Sequence, residues 1–320
     1  MRKARRTTVL LASVALALAS LVVGSASAET GAAPPGPECP GAGPVHAAEL
    51  ATPVPVADCG LAGRTVTAAQ GVGARVPERG MSVTVSALTR TGSIDLTVTN
   101  DDGMVSATAE HVGGTQRAAA QADPCAQSSY VLIGGRWNRT LAWWYNASTA
   151  SRAGLPASTT LSALRWANQN MTLGDNDCGL PTNQFSARGA YQGNHTLYAN
   201  IDSAGQCTSK FPNNYNTISW GPTDSPEILA ITCLAAYVDT GFYAEADIYL
   251  ASNKGFTDVM PANCIGLVDL ESVATHEWGH AFGLDHAFET DLTMYPTYAD
   301  CDTKQRTLGL GDWQGMNALY

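Results

Sequence analysis

The chain has 320 residues, 45% of them hydrophobic, with 18 basic against 28 acidic side chains and a net charge of −10. An acidic chain with no basic cluster argues against nucleic acid or an anionic membrane surface as a partner. Its eight cysteines include no Cys-x-x-Cys pair, which argues against a cysteine zinc site.

The first 28 residues read as a secretory signal peptide. Met1-Arg-Lys-Ala-Arg-Arg is basic, Val9 to Val23 is apolar, and Ala26-Ser27-Ala28 is a small-residue cleavage site. The apolar stretch is too short and too rich in alanine for a membrane span, and no other segment could cross a bilayer. Cleavage after Ala28 removes four basic groups and no acidic ones, moving the charge from −10 to −14. A secreted, extracellular chain with no membrane attachment after cleavage is expected, and a monomer. The even number of cysteines then favours disulfides. Connectivity stays open, although a Cys264–Cys301 pair would bracket the segment that carries the chemistry. Closing a loop of that length contributes about 4 kcal/mol on the chain-entropy estimate.

Residues 29–57 hold seven of the sixteen prolines and read as a flexible segment. Residues 60–110 change character. Met81-Ser-Val-Thr-Val-Ser-Ala-Leu and Ser93-Ile-Asp-Leu-Thr-Val-Thr alternate apolar with polar, separated by the turn residues Thr91-Gly92 and Asn100-Asp-Asp-Gly103. This predicts a small antiparallel β unit. Residues 29–125 are therefore a proline-rich segment plus a β-rich region, either a pro-region or an accessory domain.

Residues 126–320 read as one α/β domain, large enough for a single core. Arg139 to Tyr145 forms a buried first strand, with Trp143 and Trp144 as core. Ser158 caps a helix running to about Met171. Strands follow near Phe185–Tyr191, Thr217–Trp220 and Ile228–Tyr237. Ala244-Glu-Ala-Asp-Ile-Tyr-Leu alternates as a strand with one wet face should. Asp269 caps a helix over Leu270–Phe282, and a last helix runs from about Gly311 to Leu319.

Within the Asp269-capped helix and its exit stands His276-Glu-Trp-Gly-His-Ala-Phe-Gly-Leu-Asp-His286. On a helix His276 and His280 lie one turn apart on one face, so both imidazoles reach one ion. Glu277 is rotated by about 100° from His276 and sits beside the metal, not on it. Gly283 can take the left-handed conformation that stops a helix, and the chain then returns His286 as third ligand. Chance assembly of the full string in a chain of this composition is about one in 10⁵, too rare for a coincidental amphipathic helix. Three nitrogens leave one tetrahedral position for water, the mark of a catalytic zinc.

The sequence resembles the metzincin clan of zinc peptidases, and within it the matrixins. Met294 in Leu292-Thr-Met-Tyr-Pro-Thr-Tyr298 resembles the Met-turn, Leu310 to Tyr320 the closing helix, and Val268 to His276 the approach to the active-site helix. The match is dense over residues 244–320, loose over 126–243 and absent before. It implies an α+β, zincin-like fold: a twisted mixed sheet above a cleft, an active-site helix and a C-terminal helix. It also implies that the Ala244–Leu250 strand is the antiparallel edge to which a protein or peptide substrate pairs. Ala246 and Ile248 then line the pocket with Pro296, Thr297 and Tyr298, and Met294 supports the histidines from below. Glu277 serves as the base that assists attack by a zinc-bound water on a peptide bond.

Departures from the family narrow this. Matrixins hold a second zinc through further histidines; only the scattered His46, His111 and His195 remain, so a single catalytic Zn²⁺ is expected. Ca²⁺ at Asp175-Asn-Asp177 or Asp101-Asp102 competes with simple solvation of acidic turns. Pro296 stands where other metzincins place a tyrosine that can approach the metal. Cys59 is either a latency cysteine or a disulfide partner of Cys39. The readings that remain are a secreted zinc endopeptidase, a catalytically retired zincin acting as a binding module, and a zinc hydrolase of cell-wall peptides.

Overall fold

The alternating stretches of the sequence become strands, and most of them join a single sheet. A computed structural model describes residues 38–113, 123–288 and 291–320; the signal peptide expected at 1–28 lies outside the described residues. The N-terminal strands are β1 (Val45–His46), β2 (Val54–Pro55), β3 (Thr65–Thr67), β4 (Gly73–Arg75), β5 (Met81–Thr89), β6 (Gly92–Asp101) and β7 (Met104–Gly113). Beyond them lie β8 (Val131–Leu132), β9 (Leu141–Tyr145), β10 (Gly189–Asn194), β11 (Gln206–Cys207), β12 (Asn216–Gly221), β13 (Ile228–Tyr237) and β14 (Tyr243–Ala251). The short strands β15 (Phe256–Thr257), β16 (Val268–Asp269) and β17 (Leu284–Asp285) complete the set. Three α-helices accompany them: α1 (Ala157–Leu173), α2 (Leu270–Phe282) and α3 (Leu310–Leu319).

Nine strands form a mixed sheet in the order β10-β9-β12-β14-β13-β5-β6-β7-β2. Neighbours from β10 to β14 are parallel, β13 runs antiparallel to β14, and β5, β6 and β7 continue as an antiparallel meander. Local chemistry sets the hairpins. Between β6 and β7 only Asp102 and Gly103 are unpaired, with φ of +48° and +86°, the two positive values a type I′ turn needs. Asn100 Oδ1 accepts from the Gly103 N–H at 3.1 Å and closes it.

Period-two alternation on β13 divides the interior into two cores. Ala230 and Leu234 face the helices, among Trp143, Trp278, Phe282 and Leu164. Ile231, Cys233 and Ala235 face the other way, among Val85, Ile94 and Leu96 of the N-terminal strands. A mixed sheet with few helices is in keeping with a zincin-like architecture. All eight cysteines pair, as Cys39–Cys59, Cys125–Cys178, Cys207–Cys233 and Cys264–Cys301. Cys59 is thus held by Cys39, not free as a thiolate.

Three expectations need correction. Residues 38–57 are not flexible: Val45, Leu50 and Val54 are buried in the second core, where an existing sheet face receives them despite the prolines. Helix α1 starts at Ala157 with Pro156 as its N-cap, so Ser158 lies inside it. Proline presets the backbone there, and Thr160 Oγ1 donates to the Pro156 carbonyl at 2.9 Å. The Ala244–Leu250 strand is neither an edge nor half-wet. It is β14, hydrogen-bonded to β12 on one side and β13 on the other. Ala246 and Ile248 are buried in the helix-side core. The antiparallel strand at the end of the parallel set is β13.

Candidate active site

Helix α2 begins where Asp269 accepts from the Ser272 N–H at 2.9 Å and stops at Gly283, whose φ of +103° suits only glycine. Arg306 clamps the same Asp269 carboxylate at 2.8 and 2.6 Å, fixing the helix start against the C-terminal segment. His276 and His280 lie on one face of α2, and the Gly283 turn brings His286 back beside them. The three Nε2 atoms lie 3.1, 3.1 and 3.2 Å apart. A tetrahedral ion with bonds of about 2.0–2.1 Å requires nitrogen separations of about 3.3 Å. The residues present therefore fit a zinc ion, and the triad is one of two groups of three potential ligands among the described residues.

Each imidazole is fixed from behind. His276 Nδ1 donates to the Thr293 carbonyl at 2.7 Å, His280 Nδ1 to the Leu284 carbonyl at 3.0 Å, and His286 Nδ1 to Asp95 Oδ2 at 2.8 Å. All three partners are acceptors, so each Nδ1 carries the proton and each Nε2 keeps its lone pair. Burial, joined by the other histidines, holds His276 well below the ordinary range; burial takes His280 down to about 3. Burial also opposes charge on His286, but Asp95 and then Asp285 outweigh it and raise the ring.

Glu277 is fully buried beside the triad. Thr232 of β13 donates to its Oε2 at 2.5 Å, while Oε1 has no hydrogen-bond partner among the described residues. Burial lifts this carboxyl to about 8, against the Thr232 bond that favours the ion. One oxygen is anchored and the other is available to handle a proton.

Met294 lies under α2: a Cβ placed at Gly279 would collide with its Sδ, so glycine is needed for the close approach. The turn around it is built by Asp312, which accepts from the N–H groups of Thr293 at 2.8 Å, Met294 at 3.0 Å and Gly309 at 2.9 Å. Burial raises this carboxyl to about 6 despite the three donors. Asp312→Ala orphans all three, and at about 1 kcal/mol or more each should lower unfolding stability by roughly 3 kcal/mol. Urea unfolding should show the midpoint fall at unchanged slope.

Pro296, Thr297 and Tyr298 follow the Met294 turn. Tyr298 is buried, accepting from the Asp269 N–H at 2.7 Å and donating to the Asp302 carbonyl at 2.6 Å, so it braces the start of α2. Thr297 pairs in parallel with Thr89, the last residue of β5. The same β5 pairs antiparallel with β13 along its length, Ser86 opposite Thr232 and Met81 opposite Tyr237. Leu88, fully buried, enters the helix-side core with Met294 and Tyr298. The acidic turns at 101–102 and 175–177 contribute to no converging group of three among the described residues. Thr232 and Asp95 carry no motif, and nothing in the sequence places them, or the β5–β13 pairing, beside the histidines.

A sequence model of the matrixin family matches residues 223–320. Over 53 residues the chain is 42% identical to matrilysin of Felis catus, covering 17% of this chain and 20% of that protein. It is 47% identical over 53 residues to metalloendoproteinase 4-MMP of Arabidopsis thaliana, 17% of this chain and 15% of the other. With neutrophil collagenase of Homo sapiens it shares 42% over 48 residues, 15% and 10%. The chain thus spans a fifth or less of these curated relatives' length. Its C-terminal third is matrixin-like.

Proposed function

We propose that this chain, matrixin-like over its C-terminal third, is a secreted zinc-dependent endopeptidase. The observation that carries the reading is the triangle of three Nε2 atoms, each ring locked in the ligating tautomer, with a buried carboxylate beside it. Zinc held there would acidify a water and polarise the scissile carbonyl. Glu277, anchored by Thr232, takes the proton of the attacking water on Oε1 and passes it to the leaving amine. Met294 supports the histidines, and Thr297 walls the cleft. Four disulfides suit an oxidising, extracellular compartment. No helix among the described residues is long and apolar enough to cross a membrane.

In this reading residues 29–125 act as a pro-region. An extended peptide would pair with β13, and in the described form β5 holds that edge, antiparallel to β13 and parallel to Thr297.

The test is a mixed peptide library digested with and without chelator, followed by mapping of the cut sites. Cleavage is expected to vanish with chelator and to return with added zinc. Zinc uptake without cleavage, after β5 has been displaced, would favour the retired binding module. Cleavage confined to cell-wall cross-links would favour the third reading.

A further inference from the structure

Two of the three imidazoles lean on main-chain carbonyls of residues 284 and 293, within the same C-terminal segment. His286 alone leans on a side chain from elsewhere. Its partner Asp95 lies on β6, 191 residues away in sequence. We propose that Asp95 is the positioning residue of the third metal ligand in the covered form, so that the N-terminal β unit supports the metal centre for as long as it stays docked. The proposal rests on the zinc reading above.

Chemistry assigns the role. A carboxylate on Nδ1 holds the proton there, aims Nε2 at the ion and makes the ring a stronger donor. Nδ1 and Nε2 point to different sides of the imidazole, so Asp95 stands behind the ligand and does not compete for the ion. Its position is over-determined: on β6 it pairs with Ser86 of β5 and Glu110 of β7. The flanking Ile94 and Leu96 are fully buried on the opposite face, so neither strand nor register can slip without exposing them. A largely buried carboxylate is costly without a partner, and the His286 N–H at 2.8 Å is the strongest one recorded; Ser93 Oγ donates at 3.4 Å. Asp285, whose Oδ1 is 3.9 Å from the same Nδ1, accepts instead from the His286 main-chain N–H at 2.8 Å. It adds charge to the site without holding the ring.

The experiment measures zinc affinity of the full chain by competition with a chromophoric chelator, independent of any activity. Asp95→Ala is expected to weaken zinc by roughly 10- to 100-fold, and Asp95→Asn, which keeps an acceptor oxygen, by less. Asp285→Asn removes a similar charge without touching the ring's hydrogen bond, and a loss under about threefold is expected. The His286 Nδ1 proton should stay in slow exchange in the zinc-loaded wild type and be lost in Asp95→Ala; circular dichroism and apo-protein melting verify folding. Folded Asp95→Ala with wild-type affinity would overturn the proposal alone. Equal losses in Asp95→Asn and Asp285→Asn would reduce it to general electrostatics and overturn the positioning role. Wild-type chain that takes up no zinc would sink the metal reading, and the proposal with it.

Discussion

Glu277→Ala is expected to keep a full equivalent of zinc and to lose peptide hydrolysis by roughly 10²- to 10⁴-fold, the range of a positioned acid–base group. The ligand set explains the first half: the converging nitrogens are those of His276, His280 and His286, and Glu277 is not among them. The second half follows from the split roles of its oxygens, one held by Thr232 and the other free to accept a proton. Because the group moves protons and does not bind the peptide, the loss should fall on kcat with KM little changed. Full turnover in the variant would sink the mechanism. A stability measurement on metal-free protein gives an independent check. Burial raises the folded carboxyl to about 8 from an ordinary 4.5, so between those values the folded state holds the extra proton. Its contribution to stability is full below about pH 4.5 and is lost as pH rises through about 8. The melting temperature of the wild type should therefore fall more between pH 5 and pH 8 than that of Glu277→Ala, in which this group is absent and the histidines still titrate.

The convergence of the three histidines was legible in the sequence because the elements that build it are local. The Asp269 cap, the i, i+4 histidines, the Gly283 stop and the Met294 turn all lie within 26 residues of one another. What stayed hidden joins distant segments: Thr232 to Glu277 across 45 residues and Asp95 to His286 across 191. No periodicity reports such a contact. The misplaced edge strand has a different cause. Glu245 and Asp247 alternate with apolar residues on β14, a pattern that normally means one wet face. Both are buried, and main-chain N–H groups replace the water. Asn213 and Asn214 donate to Glu245; Asn200 and Thr217 donate to Asp247 at 2.7 Å each. Burial still pushes Glu245 up to about 7, against those donors. Alternation thus reports which side chains are polar, and main-chain donors from β12 and from neighbouring loops keep these polar ones inside. The proline-rich segment misled in the opposite sense: four buried apolar side chains, the pairing of β1 and β2 and one disulfide hold residues 38–57 in place.

Displacing β5 from β13 is expected to raise peptide hydrolysis at least tenfold over the intact chain. Strand β5 pairs with β13 from Ile228 to Tyr237, meets Thr297 at its end and buries Leu88 in the helix-side core. A peptide that needs the same edge binds only the fraction of molecules in which β5 has left. If the cover is held by about 3 kcal/mol, that fraction is roughly one in 150, and the apparent rate falls in proportion. Two routes lift the cover. Leu88→Ala removes a fully buried side chain from the contact, at a cost of about 2–5 kcal/mol to the closed form. A specific protease site placed within residues 114–122 lets the chain be nicked between the N-terminal strands and the rest. Nicking alone should change little, because Ile231, Cys233 and Ala235 of β13 share a core with Val85, Ile94 and Leu96. Release should follow only when mild denaturant separates the pieces. The separated C-terminal piece has also lost Asp95, so its rate must be read with zinc in excess; without it the gain from an open edge would be masked by loss of metal. An intact chain that cleaves peptides as fast as both the Leu88→Ala variant and the zinc-supplemented separated form would mean that β5 does not stand in the substrate's place. The cleft would then have to receive its peptide along some edge other than β13.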